Sequence, residues 1–277
     1  GSEKCAQSTA SCAAQMLPKL IEACGAPAAG HQVWALVREL SALAARSANA
    51  IDLHWLPQGL HDVPDTLRAR IASTLEEIDR DVQTGITKHR PDFIALGYGL
   101  CSNAVTGLQS REIPLVVPRT DDCIALFLGS QQRYLECFHD LPGTYWRNNG
   151  WIEACGTLVD DNRRLRQRWQ EYAEKFGADN ADYLIETERQ WVQHYDTCAY
   201  IRSETFEAPV YRALAQKAAE ERGWNFREFA GDARLLRMLV DGAWNEEEFL
   251  LVPPGHRIVA DYSGAKLRAV PAGEEER

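Results

Sequence analysis

The sequence predicts an α/β protein: a doubly wound, mostly parallel sheet with a helical insertion. Three observations predict it. Short apolar runs alternate with amphipathic helical stretches. Several runs are continuous rather than alternating, as strands buried on both faces are. One of them, Phe93-Ile94-Ala95-Leu96, leads into Gly97-Tyr98-Gly99-Leu100-Cys101-Ser102-Asn103. Glycine at a strand end permits a tight turn and close approach to a ligand. Ligands of open α/β sheets sit beyond the carboxyl ends of strands, so this stretch organises the reading.

Residues 1–18 read as an N-terminal arm carrying Cys5 and Cys12, followed by one α/β domain over 19–271. Met16 to Ala23 is expected to be the first strand, ending in Cys24-Gly25-Ala26. Val33, Leu36, Val37, Leu40 and Leu43 recur at helical spacing, which predicts a helix over 33–44. Ile51 to Leu56 alternates as a strand does, and Pro57 to Asp62 turns out of it with His61. The next helix is expected from about Asp65 to Gln83, with Asp62 or Asp65 as its cap and Pro64 in its first turn. The Phe93 strand follows, then a strand over Pro114 to Pro118 and a helix starting near Ile124.

Leu141 to Trp146 reads as loop. A helical excursion is expected between about 160 and 222, with helices over 163–176, 181–194 and 209–222. Trp224 to Phe229 is expected as a strand, Asp232 to Val240 as a helix and Phe249 to Val252 as the last strand. Residues 272–277 are a charged tail. Strand–helix–strand alternation implies right-handed crossovers.

Composition narrows the function. A length of 277 residues, 45% hydrophobic and 25% charged, is that of a globular protein with a sizeable core. No apolar run approaches the ~20 residues that cross a bilayer. A net charge of -10 argues against a nucleic-acid partner. The first residues lack a basic region followed by an apolar one, so no secretory signal is expected. Eight cysteines without such a signal point to a reducing, cytoplasmic setting, where thiols serve metals or catalysis.

Cys24, His61, Cys101 and Cys123 each closely follow an expected strand. Parallel, adjacent strands would bring them to one rim. Thiolates and an imidazole at one point suit zinc or an iron–sulfur cluster. A single thiol is more often a small buried hydrophobe, so the constellation carries the reading. A thiol nucleophile is the other use: Cys101 or Cys123 at a helix start would ionise readily. Asp121 and Asp122 oppose this at Cys123, and Cys101 would need His61 as its base. Cys137, Cys155 and Cys198 read as structural, with Cys198 as a possible fourth thiolate. Gly97-Tyr98-Gly99 lacks the third glycine of a dinucleotide fingerprint.

Cys24-Gly25-Ala26, Leu60-His61 with Pro64, Gly97-Tyr98-Gly99-Leu100-Cys101 with Asn103, and Pro118-Arg119 with Asp122-Cys123 form a distinctive set. Pro142-Gly143-Thr144-Tyr145, Gly231-Asp232 and Val252-Pro253-Pro254-Gly255 extend it. From about Cys24 to Ile258 the chain resembles the bacterial and archaeal family called domain of unknown function 1638. The loop after Cys24 looks longer than that family's usual turn. The resemblance implies the company of corrinoid-dependent demethylation of methylamines and betaines, with no established reaction.

The expectation is a metal-dependent enzyme of one-carbon metabolism acting on a small molecule by methyl transfer or lyase-type chemistry. Cys24, Cys101 and Cys123 hold zinc or a [4Fe-4S] cluster. His61 is a fourth ligand or acid/base, and Asn103 and Arg119 orient the substrate. The alternative is a non-catalytic accessory protein that binds a corrinoid protein or delivers a metal.

Overall fold

A computed structural model describes residues 35–56, 60, 63–86, 89–100, 103–155, 158–205, 209–262 and 264–273. Helices and strands mix, with parallel pairing in both larger sheets, which makes this an α/β fold.

The first sheet has the order β1-β2-β6, with β1 Ile94–Ala95, β2 Leu115–Pro118 and β6 Phe249–Val252. β1 and β2 are parallel, whereas β2 and β6 are antiparallel. β2 is buried at every position, as its continuous apolar sequence requires. The pleat sends Leu115 and Val117 to one face and Val116 to the other. Leu67, Ile71 and Leu75 of α2 (Pro64–Gln83) cluster with Leu115 and Val117. Leu43 of α1 (Ala35–Ala44), Leu126 of α3 (Cys123–Leu128), and Leu235, Leu236 and Leu239 of α9 (Arg234–Asp241) cluster with Val116. Full burial of a leucine side chain contributes about 2 kcal/mol, so these opposed clusters hold helices on both faces.

Pro64 is the first residue of α2, where its missing N–H costs nothing, but the cap position is Val63 and no side chain caps it. Residues 51–56 differ from expectation. Their exposure alternates, but they pair with no strand among the described residues. A hairpin unseen in the sequence, β7 (His256–Asp261) with β8 (Lys266–Pro271), buries Ile258 and Leu267 against the α2 face.

The second sheet, β3-β4-β5, is wholly parallel. It comprises β3 Thr144–Asn148, β4 Thr197–Arg202 and β5 Asn225–Ala230. β3 includes residues read as loop, and β4 lies inside the stretch expected to be helical. Parallel neighbours need crossovers. α5 (Asn149–Cys155), α6 (Leu158–Phe176) and α7 (Ala178–Val192) join β3 to β4, and α8 (Pro209–Arg222) joins β4 to β5. The indole of Trp169 donates to Asp182 at 2.7 Å and ties α6 to α7. Ile152, Ala215 and Ala219 pack on Cys198 and Tyr200. Between the sheets the chain runs through α3 and α4 (Gln131–Asp140), and it returns from β5 directly into α9.

Candidate functional sites at two sheet edges

The carboxyl ends of β1 and β2 form the first edge. Leu96 N–H donates to Val116 O at 2.8 Å, and Leu100 N–H to Thr120 O at 2.9 Å, so the loops after both strands stay together. Gly99 is buried between them. A Cβ there would lie 2.6 Å from Asp122 C and 2.7 Å from Cys123 N. The glycine therefore lets the loop before position 101 press on the start of α3. Asp122 caps α3, its Oδ1 accepting from Ile124 N–H at 2.9 Å, and this sets Cys123, half-buried, at the first helical position. The Thr120 hydroxyl at this edge is buried and has no hydrogen-bond partner among the described residues.

Cys24, His61 and Cys101 lie outside the described residues. Among the described residues, no three His, Cys, Asp or Glu side chains are grouped to hold a metal ion. Asn103 is exposed and left-handed, with φ of 52°, a conformation asparagine tolerates. Its carbonyl accepts from Arg68 Nη2 at 2.9 Å and Thr106 Oγ1 at 2.6 Å, which fastens the loop to α2. Arg119 turns toward β6 and β8. Its Nε donates to Phe249 O at 3.3 Å and its Nη1 to Ala265 O at 2.7 Å and to Leu267 O. Burial pulls its pKa down, against the opposing pull of Asp261 and Glu246. Asp121 accepts from Lys266 Nζ at 2.6 Å and Gln131 Nε2 at 2.7 Å.

Cys198 stands at the amino end of β4, away from any carboxyl edge, with its thiol on Ala215 O at 3.7 Å. Burial raises its pKa, as it does that of Cys137, so neither tends toward thiolate.

The second edge lies at the carboxyl ends of β3, β4 and β5, and no motif in the sequence marks it. Asn148, Asn149 and Gly150 leave β3; Ser203 and Glu204 leave β4; Gly231 and Asp232 leave β5. Glu39 of α1 closes it from across and is only 8% exposed. Ser203 Oγ donates to Glu39 Oε1 at 3.0 Å. Desolvation raises the Glu39 pKa, with Glu204 adding to it, while the hydroxyls of Ser203 and Thr205 hold it back. Glu204 is shifted down, chiefly by the Ala233 N–H at 2.6 Å and then by Arg237. Gly231 is needed here, because a Cβ would sit 2.5 Å from Arg202 O.

Asn149 is 4% exposed; its Oδ1 accepts from the Tyr200 hydroxyl, and its Nδ2 has no partner among the described residues. One signal was legible: Glu39 interrupts the apolar stripe of Leu36, Leu40 and Leu43.

α3 connects the edges. Cys123 begins it, while Phe127 near its end lines the second edge and accepts from Asp232 N–H at 3.0 Å. Six helical residues span about 9 Å, which separates the two edges by roughly one short helix.

These features define an α/β protein with candidate ligand sites at the carboxyl edges of two sheets. The chain belongs to the family described as Protein of unknown function (DUF1638), whose family model matches residues 55–240. That match takes in the strand ends of both edges, leaves Cys24 and Glu39 outside, and is shorter at each end than the span expected from the resemblance. No curated protein and no solved structure matches the chain.

Proposed function

We propose that this chain is a metal-dependent enzyme acting on a small molecule, with zinc or a [4Fe-4S] cluster held at the first edge. Cys101 and Cys123 are its central ligands, Cys24 completes the thiolates, and His61 is a fourth ligand or acid/base. The observation that carries this is the approach of the two strand ends. Leu100 is hydrogen-bonded to Thr120, and Gly99 abuts Cys123, so Cys101 follows one residue after a segment already against α3. The donor set is soft to borderline, as zinc and iron–sulfur clusters require. When bound, such a group supplies a Lewis acid for methyl transfer or lyase-type chemistry. Asn103 and Arg119 belong to the supporting loops on the geometry above, with substrate orientation as their proposed role. The proposal includes a doubly wound arrangement, a cytoplasmic setting and a link to corrinoid-dependent methyl metabolism.

The test is metal analysis of protein purified without oxygen. About one zinc, or one cluster with its brown absorbance, is expected per chain, with loss in both Cys101→Ser and Cys123→Ser. Folded, metal-free protein, or variants that retain full metal, would overturn the proposal.

A further inference from the structure

The second edge is independent of the thiols. Its lining leaves about 10 Å³ of free space, room for one water or one ligand oxygen. An adjoining depression of about 170 Å³ shares Glu204 and is lined also by Leu43, Arg46, Thr205, Arg237 and Asp241. We propose that this edge binds a small neutral carboxamide, its carbonyl oxygen in the void on Asn149 Nδ2 and its N–H groups toward the carboxylates of Glu204 and Asp232.

Three observations lead to that chemistry. The Tyr200 hydroxyl occupies Asn149 Oδ1, which orients the amide so that Nδ2 is the group left over. A buried N–H without an acceptor is costly, so the void favours an oxygen that accepts. Glu39 lines the same void with its carboxyl pushed up by burial, which opposes a repelling charge beside the ligand oxygen. The charges facing the void and its mouth set the ligand's own charge. Glu204, Asp232 and Asp241 stand against Arg46, Arg237 and Arg202, because Glu228, which Arg202 meets at 3.3 Å, is held by Arg212 at 2.6 Å. Arg237 already binds Glu204 at 2.9 Å and Asp232 at 3.3 Å. A carboxylate ligand would leave an unbalanced negative charge at an edge whose own charges cancel. An amide instead presents an acceptor to Asn149 and donors to the acidic pair.

Acetamide, titrated into the full chain and followed by the backbone amide resonances of Gly150 and Gly231, which line the void in every variant, tests this. A saturable shift is expected, with acetate binding more weakly. Asn149→Asp keeps the acceptor for Tyr200 and removes the donor, so it is expected to fold and to lose about tenfold in acetamide affinity, the worth of one good hydrogen bond. Glu39→Gln leaves Asn149 untouched and adds no charge beside the void, and it is expected to retain binding. Absence of a saturable shift (the void then holding water only), equal affinity in Asn149→Asp, or tighter binding of acetate overturns the proposal. Cys123→Ser is expected to bind acetamide unchanged, so this site and the metal site stand or fall separately.

Discussion

Replacing Gly99 with alanine puts a methyl group where the first edge has no room. The new Cβ would stand 2.6 Å from Asp122 C and 2.7 Å from Cys123 N, against ordinary contact beginning near 3.4 Å. Both neighbours are backbone, so the loop or the start of α3 must move by most of an ångström. Overpacking of this kind costs about 1–3 kcal/mol. At about 2–4 °C per kcal/mol for chains of a few hundred residues, the Tm falls by several degrees. Gly97, two residues earlier in the same motif, is the internal control. Its Cβ would meet only Leu239 Cδ2, at 3.8 Å, and Gly97→Ala is expected to change Tm little. Because the displaced atoms carry Cys123, Gly99→Ala is also expected to lower metal content more than Gly97→Ala does. Thermal unfolding and metal analysis of both variants check this. Equal stability and equal metal content in the two would refute the close approach of the loop to α3.

Asp79 is 7% exposed and accepts from Ser110 Oγ at 2.7 Å, Arg111 N–H at 2.8 Å and Glu112 N–H at 3.2 Å; Asp79→Ala is expected to cost about 2–4 kcal/mol in urea unfolding. Glu39 has a raised folded pKa, so its contribution to stability is complete below its ordinary value and is lost as pH rises through the raised one. Glu39→Gln should flatten that decline in urea midpoints measured across pH. Glu248 is shifted down, first by the forked contact with Arg234, so its contribution is present above its ordinary value and is lost as pH falls through the lowered one. Glu248→Gln is expected to remove about 1 kcal/mol at neutral pH, a modest figure because Arg234 is 40% exposed, and to make the acid limb shallower.

Strong local patterns made much of the first sheet legible. α2 announces itself through apolar spacing and Pro64, and β2 and β6 are unbroken apolar runs between turn residues. The second sheet was harder. β3 follows Pro142-Gly143 and carries Arg147 and Asn148, so it reads as loop until Cys198 and Tyr200 of β4 pair beside it. Residues 51–56 show the converse, an alternating pattern that no strand among the described residues completes. At the first edge the adjacency of the two strand ends was legible, because apolar runs end there in Gly97-Tyr98-Gly99 and in Pro118-Arg119. Glu39, Asn149, Ser203 and Asp232 share no spacing in the chain, and only the parallel topology assembles them.

The most direct measurement of the central claim is the K-edge X-ray absorption spectrum of anaerobically purified, metal-loaded protein. Sulfur neighbours at about 2.3 Å are expected, fewer in Cys123→Ser than in the parent chain. A metal surrounded only by nitrogen and oxygen, with a spectrum unchanged by Cys123→Ser, would contradict it.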